Sequence, residues 1–326
     1  MIYHIIGVMQ ADLGAYLLLT IVMGTTITVS LVINGLILIC FFRQHSKLNS
    51  RCIFLVSLAV SDIIQSTIVY PFELSIATRA FATHGASVGH RYGTCDCVGF
   101  LVNFFDLVSI NHFIFLAIER TVSISSPYTY FRFMTHKKHK VFIVSSMWLY
   151  GLLVALMPTL GFSKYELSAN GWQCQPRMST NVVSISYLLF FLLNSYILPL
   201  VVFIVCYVIA KREMKQFYVR SRLVFGRRKS SVATLQAYCA NRKHDRMIVM
   251  MGAVFISTCT PFVVLSVTSI VGLKQPATLV VTAALLQKIT TVTDPIIYAI
   301  IYGDFYRAIR QMFVASRERS SSAEFD

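Results

Sequence analysis

Charge is what this sequence has least of. Only 13% of its 326 residues are Asp, Glu, Lys or Arg, where a soluble domain carries roughly a quarter. That deficit argues against a cytosolic enzyme, and no nucleophile–base constellation stands out to revive one. The shortfall is mostly acidic, with 14 Asp and Glu against 29 Lys and Arg. The resulting net charge of +15 does not point to nucleic acid, because the basic residues lie between long apolar runs, as loop charges of a membrane protein do. Eight cysteines are too few for a disulfide scaffold, and no pair has the spacing of a metal knuckle, so no metal is expected. Asn-x-Ser/Thr sequons are absent, so N-glycosylation is not expected. Residues 1–13 lack a basic n-region and a cleavage site, so no cleavable signal peptide is expected. The lack of an internal repeat weakens a transporter built on inverted halves.

What is present is apolar length. A hydrocarbon core about 30 Å thick needs roughly 20 apolar residues in a helix. Seven stretches qualify, at 14–42, 52–79, 94–125, 141–162, 182–210, 247–272 and 278–302. Only a helix or a closed barrel satisfies its backbone in lipid, and runs this long exclude the alternating strands of a barrel. The expected fold is an all-α bundle of seven spans. Five Lys and Arg (Arg79, Arg91, Lys164, Arg177 and Lys274) fall in one set of loops, Lys288 falls inside the last span, and the other 23 fall on the opposite side. The positive-inside rule makes that second side cytoplasmic and places the N-terminus outside. Residues 1–13 are then an extracellular segment. Residues 303–314 form an amphipathic helix, in which Phe305, Ile309 and Phe313 interleave with Arg307 and Arg310 as in an interfacial helix. Residues 315–326 form a cytoplasmic tail with the run Ser320–Ser322.

Each span carries an unusual polar residue or proline, and their order is informative. Asn34 is in the first and Asp62 in the second. Cys95 opens the third, which Glu119-Arg120 closes. Trp148 is in the fourth, Pro199 and Tyr207 in the fifth, Pro261 in the sixth, and Asp294-Pro295-Ile296-Ile297-Tyr298 ends the seventh. Singly these are weak signals. In this order they resemble the rhodopsin-like (class A) family of G-protein-coupled receptors over about residues 20–314. The resemblance implies a bridge from Cys95 to Cys174, with Cys97 as the rival for Cys95. It also implies a G-protein switch formed by Glu119, Arg120, Tyr207, Asp294, Pro295 and Tyr298, over a polar core of Asn34 and Asp62. Buried charges such as Asp62 and Asp294 are costly in a membrane and are expected to face the bundle interior, at similar depth.

Lys288 narrows the function. A lysine near mid-span costs about 2.5–3.5 kcal/mol on insertion scales. It lies too far inside for its side chain to reach the surface, since ten residues of helix span about 15 Å. A desolvated amine of this kind forms Schiff bases readily. The arrangement Lys288-x5-Asp294-Pro295-x2-Tyr298 resembles the retinal-binding lysine of opsins, and Tyr130-Phe131-Arg132-Phe133 and Gln173-Cys174 resemble the same family. A buried protonated Schiff base needs a counterion, because desolvation favours its neutral form. The positions at which opsins commonly place one are Val98 and Ser168 here, and Glu166 is two residues out of register. Glu73, beside Pro71, is the better candidate. It lies eleven residues outward of Asp62, about 16 Å, while Lys288 lies about 9 Å outward of Asp294, and long side chains can close the difference. Some opsins of jellyfish and their relatives resemble this arrangement. Asp106, mid-span on the third helix, is the rival.

Two departures from the family stand out. Cys259 replaces the tryptophan expected two residues before Pro261, so Phe262 is expected to help fill the pocket with Asp106 and Cys259. Thr121 follows Arg120 in place of the usual aromatic. The resemblance implies a light-activated receptor of the plasma membrane carrying 11-cis-retinal or a related chromophore, with a heterotrimeric G protein, a receptor kinase and arrestin as partners. The likeness to cnidarian opsins favours a stimulatory G protein raising cyclic AMP, and the basic stretch Lys211–Arg246, read as a loop, would meet both G protein and lipid. The alternative is a class A receptor for a diffusible ligand, in which Lys288 pairs with Glu73 or an acidic ligand.

Overall fold

The computed structural model describes residues 2–43, 52–82, 92–134, 136–168, 173–177, 181–225, 232–271, 273 and 277–301. The expected amphipathic helix at 303–314 and the tail with Ser320–Ser322 lie outside the described residues. Among the described residues, seven helices are long and apolar enough to cross a membrane: Tyr16–Arg43, Ile53–Arg79, Thr94–Ser125, Lys137–Phe162, Val182–Phe217, Arg246–Thr268 and Leu279–Ile297. These are the seven expected runs, differing only at their ends. The third span is central and packs on the second, fourth, fifth and sixth, while the first closes against the second and seventh. Leu17, Ile21, Phe142, Leu153 and Ile204 face outward, which suits lipid tails as solvent. Asn34, Asp62, Ser66, His112 and Asp294 face inward, because an unsatisfied polar group in hydrocarbon costs several kcal/mol.

Three stretches expected as loop or N-terminal segment are helical. The first helix extends back to Ile2. The fifth continues to Phe225 and the sixth begins at Val232, so most of the basic stretch Lys211–Arg246 is helix rather than loop. Residues Pro127–Met134, holding Tyr130–Phe133, form a short helix of their own. The physical reason is shared. Hydropathy reports only the part of a helix inside lipid, whereas Lys, Arg, Glu, Gln and Met propagate helix well once outside it.

Prolines set the irregularities. Gln65–Val69, just before Pro71, winds as a π turn in which the Tyr70 amide bonds the Gln65 carbonyl five residues back. Leu193–Ile197, just before Pro199, does the same, with the Leu198 amide reaching Leu193. Proline removes one donor and crowds the preceding turn, and a π turn absorbs both. The seventh span, expected as one continuous helix, is broken. One segment, Ala277–Lys288, ends at the lysine and the next, Thr290–Ile301, begins beyond Ile289. The Thr290 and Thr291 hydroxyls donate to the carbonyls of Gln287 (2.7 Å) and Lys288 (2.9 Å) at the break. Further along, Pro295 cannot donate to the Thr291 carbonyl, and the Asn34 amide does so instead at 3.1 Å.

Asn34 therefore replaces a backbone hydrogen bond that Pro295 removes. Asn34→Ala is expected to cost about 1 kcal/mol of stability, the net worth of one buried hydrogen bond, since the Ser30 hydroxyl still donates to the Thr291 carbonyl at 3.5 Å. In a Pro295→Ala background the cost should shrink, because residue 295 then supplies the N–H. Thermal unfolding in detergent of the four combinations measures the coupling, and equal losses in both backgrounds would contradict it.

Candidate functional site

Lys288 and Glu73 meet inside the bundle. The Lys288 Nζ donates to the Glu73 Oε2 in an ion pair whose side chains are only 12% and 3% exposed. Each element's irregularity contributes to the meeting. Lys288 is the last residue before the break in the seventh span. Glu73 follows the π turn and Pro71 on the second span. The Tyr70 ring lies beside the pair, 4.8 Å from the Lys288 Nζ. Neither charge is tolerable alone at this depth, since breaking a buried pair leaves an uncompensated ion.

Asp106 does not pair with Lys288 but lies within electrostatic reach of both Lys288 and Glu73. Together with Ser109, Gln287, Thr290 and Asp294 it provides the polar lining of a cavity whose other walls include Phe113, Phe255 and Cys259. The cavity volume is about 30 Å³, room for one or two waters. Cys259, where the family resemblance leads one to expect a tryptophan, thus stands at a small void of mixed lining. Phe255 lines it from the turn below, and Phe262 is not part of the lining.

A β-hairpin covers one end of the bundle. Tyr165–Leu167 (β1) pairs antiparallel with Cys174–Pro176 (β2), with Glu166 opposite Gln175. A disulfide joins Cys95 to Cys174, Cα to Cα 5.4 Å, while Cys97 is a free, exposed thiol. The hairpin lies so close to the third span that a Cβ on Gly99 would stand 2.7 Å from the Tyr165 ring. The Tyr165 hydroxyl donates to the Ala155 carbonyl at 2.8 Å, and burial pushes its phenol pKa upward. Of the counterion positions considered in the sequence, Val98 packs in the apolar cluster beneath the hairpin with Ile76 and Cys174. Ser168 bonds Gln173 within the hairpin turn. Glu166 pairs with Arg177 at 3.2 Å on the outer surface.

At the other end of the third span, Glu119 and Arg120 are paired at 2.9 Å, each with a side chain 2% exposed. The Tyr130 hydroxyl donates to Glu119 Oε1 at 2.7 Å, which gives the short helix Pro127–Met134 a fixed seat. Asp62 and Asp294 are both buried, Asp294 directly before Pro295 in the chain. Neither oxygen of Asp62 has a hydrogen-bond partner among the described residues. Tyr207 is half exposed on the fifth span, with the Lys211 Nζ 5.5 Å from its ring. The backbone of Tyr298 continues the seventh span, and its side chain lies outside what is described.

Sequence reasoning missed three residues here. Tyr70 and Gln65 carried no signal beyond their place near Pro71. His112, a lone ionisable residue in an apolar run, was the more visible clue. Its Nδ1 faces the Val108 carbonyl at 2.8 Å and so carries the proton, leaving Nε2 to accept from the Ser57 hydroxyl at 2.9 Å, a neutral tautomer fixed by its partners. Trp148 Nε1 donates to the same Ser57 oxygen at 2.9 Å, tying the second, third and fourth spans together.

The chain matches the model of the 7 transmembrane receptor (rhodopsin family) over residues 33–298. Among curated proteins it is similar to a pinopsin of Columba livia, 26% identical over 310 residues that cover 93% of this chain and 82% of that one. It is also similar to the visual pigment-like receptor peropsin of Mus musculus, 28% identical over 92% of this chain and 84% of that one. Among solved structures, squid rhodopsin shares the fold with a TM-score of 0.72 at 18% identity, covering 94% of this chain and 87% of that one.

The ion pair makes a stability prediction that needs no ligand. Lys288→Met and Glu73→Gln are each expected to destabilise the free protein by about 3–5 kcal/mol, with a much smaller cost when combined. Unfolding temperatures of the four proteins in detergent read the coupling, and simple additivity would contradict a paired site.

Proposed function

Because the chain belongs to the rhodopsin family of seven-transmembrane receptors, we propose that it is a light-activated opsin that holds retinal through Lys288, with Glu73 as counterion, and signals to a heterotrimeric G protein. The observation that carries this reading is the buried Lys288–Glu73 pair. A structural lysine has little reason to be placed at such depth, whereas a carrier amine needs a dry, carboxylate-balanced site. The residues around the Lys288 nitrogen fit the chemistry of the group. A primary amine and one acid are held together by packed helices, and the aromatic rings of Tyr70, Phe113 and Phe255 stand nearby on the second, third and sixth spans. When bound as a protonated Schiff base, retinal supplies absorption of visible light and a shape change on isomerisation.

The chain's own residues divide the remaining work. Glu73 balances the positive charge on the Lys288 nitrogen. The disulfide-anchored hairpin excludes water from the outer end. Asp106 acts at longer range as a second negative group that tunes the site. Cys259 leaves space where the family has a large ring. At the inner end, Glu119, Arg120, Tyr207, Asp294, Pro295 and Tyr298 serve as the G-protein switch, with Tyr130 holding Glu119 in the resting pair. The protein sits in the plasma membrane with its N-terminus outside. Its basic inner surface meets anionic lipid and G protein, the stimulatory subtype raising cyclic AMP being favoured, and the Ser320–Ser322 tail serves a receptor kinase and arrestin.

The test is a spectrum. Cells expressing the full chain are given 11-cis-retinal, and the protein is purified in the dark. A visible band is expected, absent in Lys288→Ala and moved to the ultraviolet in Glu73→Gln at neutral pH. A band unchanged by Glu73→Gln assigns the counterion role to Asp106 instead. A well-folded protein with no retinal band overturns the photoreceptor reading and leaves a receptor for a diffusible ligand, with Lys288 and Glu73 as a closed structural pair.

A further inference from the structure

Tyr70 stands beside Lys288 without donating a hydrogen bond to it. It is buried, and at 4.8 Å its ring lies within the roughly 6 Å at which an aromatic face attracts a cation. Three features hold the ring there. The π turn Gln65–Val69 ends at Tyr70, and the extra residue it inserts turns everything beyond it by about 100° relative to Asp62. Tyr70 and Glu73, three residues apart, therefore share the face that meets Lys288. The Tyr70 hydroxyl donates to Gln65 Oε1 at 2.8 Å, and Gln65 Nε2 donates to the Ser109 hydroxyl at 3.4 Å, which tethers the ring to the third span. Leu19 and Met23 of the first span, with Val281 and Leu285 of the seventh, pack in the same apolar cluster. With its proton committed to Gln65, the phenol presents the Lys288 nitrogen with a π face and leaves the Glu73 carboxylate to the ion pair.

We propose that Tyr70 is a positioning residue for the Lys288 nitrogen, its ring face stabilising the positive charge there alongside Glu73. For the free amine this stands on the geometry alone; for the retinal-bearing nitrogen it rests on the reading of Lys288 as the carrier. The ionisable groups facing Lys288 are Glu73 and Tyr70 on the second span and Asp106 on the third. Of these, only Tyr70 can stabilise the cation without itself carrying a charge.

The first test uses the ligand-free full chain. Tyr70→Leu and Tyr70→Phe are made with Lys288 and Glu73 intact and in a Lys288→Met/Glu73→Gln background, and unfolding temperatures are compared. Tyr70→Leu is expected to lose more stability when Lys288 is present, and Tyr70→Phe, which keeps the ring, to recover most of that difference. Equal losses in the two backgrounds mean the ring only fills space and overturn the proposal. The second test titrates the visible band of the retinal-loaded protein with alkali. Tyr70→Leu should lower the midpoint of band loss by about one pH unit, a tenfold fall in proton affinity, with Tyr70→Phe near the parent. A parent protein with no band defeats the opsin reading, and the ligand-free comparison still decides for or against Tyr70. A parent band that titrates identically in Tyr70→Leu, with no coupling in the ligand-free comparison, defeats the Tyr70 proposal and leaves the opsin reading standing.

Discussion

A charged amine in the interior of a membrane bundle has to be met by a carboxylate, and the irregular backbone of two spans serves that meeting. The Lys288 side chain is only 12% exposed, and Glu73 is the carboxylate that meets it. The second span brings Glu73 round with a π turn before Pro71, and the seventh breaks directly after the lysine, with threonine hydroxyls taking up the freed carbonyls. Irregular backbone in lipid survives only where neighbours satisfy it. On the second and seventh spans the departures from ideal helix lie within one or two turns of the two charges.

The same rule accounts for the polar interior below. Along the third span, Asp106 and Ser109 line the small cavity, His112 is locked between the Val108 carbonyl and Ser57, and Glu119 pairs with Arg120 at the end away from the disulfide. Across from them, Asn34 substitutes for the donor missing at Pro295, and Asp294 and Asp62 lie buried. Polar groups therefore line the bundle from the lysine to the Glu119–Arg120 end. Some of their bonds join different spans, as His112 to Ser57 and Asn34 to the Thr291 carbonyl do, and bonds of that kind can exist in two arrangements when helices shift against one another.

The seven spans were legible in the sequence because lipid imposes a length and a composition that no loop imitates. Lys288 was legible for the same reason, as a residue whose cost demands an explanation. Helix rise counted from Asp62 and Asp294 was enough to bring Glu73 within reach of it. What stayed hidden depends on contacts between spans. The break at Ile289 and the π turn at Gln65–Val69 follow from how prolines and threonines find partners, which periodicity does not report. Tyr70 looked like one more aromatic in an apolar run. The helical continuation of the fifth and sixth spans into basic sequence was missed because hydropathy stops at the membrane surface and helix propensity does not. Asp106 and Cys259 could be placed on the pocket side of their helices, but the shape of the void between them comes only from packing.

The most direct test of Lys288 as the carrier is to find the covalent bond itself. Protein loaded with 11-cis-retinal in the dark is reduced with borohydride to fix any imine, digested, and the modified lysine located by mass spectrometry. One retinyl group on the peptide containing Lys288 is the expected result. Labelling of another lysine, such as the buried Lys140, or no retinyl group on a folded protein, would contradict the assignment.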